Sequence, residues 1–153
     1  MRAVAATATL PGTVHDAESC WYDVGRWRLW VDGLERVVER SEAWPSVGGV
    51  VRWESGPAGR GHVVERVVAY EPLDGQTVEV EDDSIRGRQS ISFTPGDGEV
   101  DLALRLEYEI KNRTLFTALI DRLFIRPAVQ RSLRKTLARF GSELAATSQP
   151  PLS

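Results

Sequence analysis

TLFTALIDRLFIRPAVQRSLRKTLARFGSELAA, Thr114 to Ala146, reads as one long amphipathic helix placed directly after an unbroken series of strand and turn signals. Within it Val129, Leu133, Leu137, Phe140 and Leu144 recur at three- and four-residue steps, which makes a single apolar stripe. A helix of this length needs a matching apolar surface, and the preceding strands offer one, the face of a curved sheet. Pro127 interrupts the pattern, because proline lacks an amide donor and crowds the preceding turn. The segment Leu115 to Ile125 is richer in apolar residues than the second half and is expected to form a partly separate helix.

Before that helix the period is two. Strands are expected at Val37–Glu42, Val50–Ser55, His62–Tyr70, Thr77–Asp82, Arg88–Thr94 and Val100–Ile110. Pro45 with Gly48-Gly49, Gly56 to Gly59, Pro72 to Gly75 and Pro95 to Gly98 separate them, and such short connections imply an antiparallel meander. The last strand shows the phase most clearly. Val100, Leu102, Leu104, Leu106, Tyr108 and Ile110 share one face, while Asp101, Arg105, Glu107 and Glu109 share the other. Further upstream, Ala3 to Leu10 reads as a first strand that stops at Pro11-Gly12. Thr13 can cap a helix over Val14–Tyr22, and a second short helix follows near Arg26–Val31 before Gly33. The order is strand, two short helices, six strands, long helix. The fold class is α+β, with about seven antiparallel strands curved around the closing helix.

Composition sets bounds on function. The chain has 153 residues, enough for one domain over 1–147, with a tail over 148–153 that carries Pro150-Pro151. Its net charge of −3 gives no footprint for nucleic acid. One cysteine, Cys20, rules out an internal disulfide and fits a reducing compartment. The first residues lack the apolar stretch of a signal peptide, and no apolar run approaches the roughly 18 residues that span a bilayer. A cytoplasmic protein without stable membrane insertion is expected, as monomer or homodimer.

Asp23-x3-Trp27-x2-Trp30-x2-Gly33, Trp44-Pro45-x2-Gly48, Trp53, Tyr70-Glu71-Pro72 and Gly96-Asp97-Gly98, taken in that order, resemble the START/Bet v 1-like superfamily, in particular its polyketide cyclase/dehydrase-like branch. The resemblance spans nearly the whole chain. It implies the helix-grip fold, with Trp30 on the loop leading to an internal cavity and Trp53 at an inward strand position. It implies a hydrophobic or amphipathic small-molecule ligand, lipid- or polyketide-like, and does not by itself imply cyclase activity.

The residues themselves point mainly to a chamber. Apolar pockets are typically aromatic-lined with a few polar groups, and occupy roughly 300–1,000 Å³. Gln89 alternates with Ile91 and Phe93, and Tyr108 shares the face of Leu106, so both are expected to face inward. The candidate lining is Trp30, Val51, Trp53, Val80, Gln89, Ile91, Phe93, Leu102, Leu104, Leu106 and Tyr108 from the turn and sheet, with Leu119, Leu123, Gln130 and Leu137 from the helix. Trp21, Trp27 and Trp44 are read as core.

No catalytic residue is assigned. His15 and His62 lack ligand spacing, and no nucleophile motif, phosphate loop or dinucleotide fingerprint occurs, so neither metal nor cofactor is expected. The acidic run Glu79, Glu81, Asp82 and Asp83 is read as a solvated face near a hairpin, with Arg86 and Arg88 across the turn. For an enzyme in the same cavity, a cyclase or dehydratase, Tyr108 and Arg66 are the only acid–base nominees. No inward histidine or carboxylate is identified, and the phase of strand 62–70 stays open because Val63, Val64, Val67 and Val68 leave both faces apolar. The surplus apolar surface of Leu115–Ile125 suits an entry gate, a dimer contact or a partner or membrane surface.

Overall fold

The computed structural model describes residues 2–57, 59–112 and 114–148. Strand β1 (Arg2–Pro11) leads into helix α1 (Val14–Trp21), a 3₁₀ turn (Val24–Arg26) and helix α2 (Trp27–Trp30). Six strands follow: β2 (Leu34–Arg40), β3 (Val50–Ser55), β4 (His62–Glu71), β5 (Gly75–Glu81), β6 (Ile85–Pro95) and β7 (Glu99–Ile110). Helix α3 (Thr117–Ile120), a π turn (Asp121–Ile125) and helix α4 (Arg126–Ser148) complete the order. Of the tail expected over 148–153, Ser148 instead ends α4, and 149–153 lie outside the described residues.

One seven-stranded sheet runs β1-β7-β6-β5-β4-β3-β2, antiparallel at every pairing. Consecutive strands pair because their turns are short; β1 departs from that sequence and closes against β7. Thr13 caps α1 by accepting the Asp16 amide at 3.1 Å, and Asp16 lies at the positive end of the helix.

Alternation along the strands separates core from solvent. On β7 Val100, Leu102, Leu104, Leu106, Tyr108 and Ile110 are all buried. The phase left open for β4 is now fixed: Val63, Glu65 and Val67 turn inward, and Arg66 is exposed. The α4 stripe lies over this inner face through Leu133, Leu137, Phe140 and Leu144, with Val129 half-buried. An aromatic group fills the space between α1, α2 and α4. The Trp30 ring is 4.6 Å from Trp21, 6.2 Å from Trp27 and 5.0 Å from Phe140, and Trp27 meets Trp44 at 5.4 Å.

Pro127 does not divide the closing helix as expected. The helix widens just before it, and the Arg126 amide donates to the Asp121 carbonyl five residues back. That wider turn makes room for the ring of Pro127 and accommodates its missing donor, so the chain continues into α4 without a break.

Candidate functional site

Between the inner face of the sheet, the α1–α2 region and α4 lies a chamber of about 50 Å³. Trp21, Trp27, Trp30, Val31, Asp32 and Trp44 form one wall. The sheet contributes Trp53, Glu65, Gln76, Val78, Gln89, Ile91 and Leu104; α4 contributes Ser132, Leu133 and Thr136; Arg60 enters from the β3–β4 turn. The expected volume was several times larger. Indole and phenyl rings occupy the difference, because Trp21, Trp30 and Phe140 pack ring against ring where an open cavity was anticipated. The space that remains has room for a few water molecules.

Its chemistry is uneven: apolar walls surround a small polar set. Glu65, only 7% exposed, is the central member. Its Oε2 accepts from Trp53 Nε1 at 2.7 Å. Burial drives its carboxyl pKa upward; the Trp53 hydrogen bond and the nearby Arg60 charge act the other way. Arg60 lies over the Trp53 ring at 5.4 Å and donates through Nε to Asp82 Oδ2 at 2.7 Å. Asp82 is itself buried, and its Oδ1 accepts the Ser84 and Ile85 amides at 2.8 and 2.9 Å. The solvated reading of the acidic run therefore holds for Glu79 and Glu81 but not for Asp82, which turns inward to close the β5–β6 hairpin and anchor Arg60.

Among the described residues, two donors in this set have no partner. Trp30 Nε1 and Arg60 Nη2 are both buried and make no hydrogen bond. Such groups are costly to leave unmade, and both side chains line the chamber. Gln76 is held by its Nε2 donating to the Pro45 carbonyl at 3.0 Å. At the half-buried side of the chamber, Asp32 ties the turn after α2 to α4. Its amide donates to Thr136 Oγ1 at 3.0 Å, while its carboxylate accepts from Ser132 Oγ at 2.8 Å and Arg139 Nη1 at 3.1 Å.

Of the candidate lining, Trp30, Trp53, Gln89, Ile91 and Leu104 meet at the chamber. Val51, Val80, Phe93, Leu102, Leu106 and Tyr108 are buried on the same face of the sheet as core, away from the open space. Leu137 is buried between α4 and β1, and Gln130 donates to the Ala5 carbonyl there. Leu119 and Leu123 point to solvent, each 55% exposed, because Thr117 and Asp121 take the inward side of that segment. Tyr108 OH donates to Asp121 Oδ1 at 2.5 Å, and Arg2 pairs with Oδ2 at 2.9 Å. Burial first, then that bond, pushes the Tyr108 phenol up to about 12. Tyr108 thus anchors the helix, and Arg66 faces outward. Neither acid–base nominee reaches the chamber.

Sequence reasoning missed Glu65, Arg60 and Asp32. The register supplies the direction that the sequence of the strand left open: antiparallel partners share a face, and Glu65 pairs with Val51 and Val80 while Val63 pairs with Trp53. Arg60 lies in a glycine-rich turn and Asp32 in a loop, where no period assigns a direction.

The family model described as polyketide cyclase/dehydrase and lipid transport matches residues 1–145. The chain belongs to this family. Solved structures of members of the wider fold superpose over nearly the whole chain. A protein of Thermus thermophilus is 19% identical with a TM-score of 0.74, covering 97% of this chain and 100% of its own. A START superfamily protein of Mycobacterium smegmatis is 14% identical with a TM-score of 0.67, covering 95% and 99%. Norcoclaurine synthase of Thalictrum flavum, in complex with dopamine and hydroxybenzaldehyde, is 12% identical with a TM-score of 0.71, covering 98% and 89%. At these identities the likeness is one of fold. No curated protein matches the chain. Among the described residues of this polyketide cyclase/dehydrase-family protein, no group of three or more His, Cys, Asp or Glu side chains could hold a metal ion.

Proposed function

We propose that this protein encloses a small amphipathic molecule between sheet and helix, its apolar body against the tryptophans and its polar head at Trp30, Arg60 and Glu65. The observation that carries this reading is that, among the described residues, three buried side-chain polar atoms have no hydrogen-bond partner and two of them, Trp30 Nε1 and Arg60 Nη2, lie at the chamber; the third is Tyr22 OH. A fold under selection for packing alone has little reason to bury two such groups. A ligand with a carbonyl, carboxylate or sulfonate head supplies the missing acceptors. A space of about 50 Å³ is too small for such a molecule, so this reading requires binding to widen the chamber, by parting α4 from the turn that Asp32 holds.

The fluorescent sulfonate 1-anilinonaphthalene-8-sulfonate combines apolar rings with an acceptor-rich head. Saturable one-to-one binding is expected, and Trp30→Phe weakens it about tenfold, the worth of one buried hydrogen bond. Native mass spectrometry of protein from its own host is expected to show a retained small molecule. No retained ligand, together with dye binding indifferent to Trp30→Phe, would overturn the proposal.

One observation favours a second reading, an enzyme of cyclase or dehydratase type in the same chamber. Glu65 is a carboxyl whose burial favours the protonated form, and a neutral acid in an apolar site can donate a proton. Chemical conversion of a bound molecule over time, abolished by Glu65→Gln while binding persists, distinguishes this reading from simple enclosure.

A further inference from the structure

The segment joining β7 to α4 carries a surface that the fold leaves uncovered. Leu115 is 99% exposed, Phe124 67%, Phe116 66%, Leu119 and Leu123 55%, and Ile120 42%. Six large apolar side chains within ten residues form a patch beyond what scattered surface residues account for. The inward side of the same segment is fixed by Thr117 and by Asp121, which Tyr108 and Arg2 hold. The patch therefore belongs to the folded state.

Charge identifies what fits it. Residues 111–135 contain seven basic side chains and a single acid, Asp121, a net charge of +6 in a chain whose total is −3. The rest of the molecule consequently carries −9. Asp121 is buried and paired, so it offers nothing to a partner. Arg122 and Arg126 are exposed, Arg126 also lying 3.9 Å from Asp121, and Arg131, Arg134 and Lys135 continue the basic run as exposed residues of α4. A second copy docking face to face on this patch would set one basic surface against another.

We infer that residues 115–124 dock the protein on an anionic lipid surface, the six apolar side chains entering the interface and the surrounding arginines meeting lipid phosphates. Apolar tips with a basic surround are the chemistry of interfacial rather than spanning attachment. No described helix is long and apolar enough to cross a membrane. The inference rests on this surface alone and stands apart from the chamber reading.

Flotation of the full chain with vesicles of phosphatidylcholine, or of equimolar phosphatidylcholine and phosphatidylglycerol, tests it. Binding to the anionic vesicles is expected, with release at high salt and little binding to phosphatidylcholine alone. Phe116→Ser with Phe124→Ser, and separately Arg122→Glu with Arg131→Glu, each lower partitioning about tenfold or more. All four positions are exposed, and an unchanged melting curve confirms that the variants fold. Failure to float with anionic vesicles, equal binding to both compositions, or indifference to both variants would overturn the inference. Self-association relieved by the phenylalanine variant, without flotation, would assign the patch to a second copy.

Discussion

Glu65 shows what a single residue can add to a chamber that is otherwise apolar. Burial raises the pKa of an acid, so the folded protein holds a proton that the unfolded chain has already lost. The stability associated with this group is complete below the unfolded carboxyl value of about 4.3 and falls as pH rises through the folded value. Glu65→Gln removes the titration but keeps an oxygen to accept from Trp53 Nε1. The melting temperature of the variant, measured against wild type, is therefore expected to gain as pH rises above the unfolded carboxyl value and to level off once pH passes the raised folded value. A difference that stays flat with pH would mean that Glu65 does not titrate differently in the folded state. The residue escaped sequence reading because four valines masked the phase of its strand; hydropathy cannot distinguish an inward carboxylate from an outward one when its neighbours on both faces are apolar. Gln89, framed by Ile91 and Phe93, carried its direction plainly and does reach the chamber.

At the scale of elements, strands were legible where one face is wet and ends where breakers stand. Strand β3 spans Val50–Ser55, as its alternation predicts, and β7 keeps the face assigned to it. The start of β6 was less legible: it begins at Ile85, three residues before the expected Arg88, and includes Gly87. Glycine argues against a strand interior by propensity, yet here close backbone approach requires it. A Cβ at Gly87 would overlap the Glu107 carbonyl oxygen and lie 2.7 Å from the Tyr108 Cα. Gly87→Ala should therefore force β6 away from β7 and cost about 1–3 kcal/mol, the range for overpacked sites. Urea unfolding monitored by circular dichroism checks this, and a change below about 0.5 kcal/mol would show that the strand pair can yield. The π turn before α4 was illegible for a related reason. Sequence marks Pro127 as an obstacle but does not say whether the helix ends there or widens to pass it.

For the whole molecule, the decisive relation is between parts distant in sequence. Asp32, on the turn after α2, makes three contacts to α4 about a hundred residues away, through Ser132, Thr136 and Arg139. These polar contacts span the half-buried side of the chamber, while the apolar contacts of Leu133, Leu137 and Phe140 hold the helix to the sheet below. The two sets have different consequences. Losing an apolar contact opens a cavity in the core, whereas losing the Asp32 contacts frees the helix to swing from a hinge that the apolar stripe leaves intact. Asp32→Ala is accordingly expected to lower stability by only about 1–3 kcal/mol, the worth of its charge-assisted hydrogen bonds less the water that replaces them. It should accelerate amide exchange in the turn at 31–34 and in α4 near 132–139, leaving β6 and β7 protected. If widening of the chamber limits entry, the same variant also binds 1-anilinonaphthalene-8-sulfonate with a faster association rate. Uniform acceleration of exchange across sheet and helix would mean that Asp32 supports the fold at large. Unchanged exchange would mean that the apolar stripe and the Asp32 amide bond to Thr136, which the variant keeps, hold α4 without the carboxylate, and the entry route would then have to be sought elsewhere along the chamber wall.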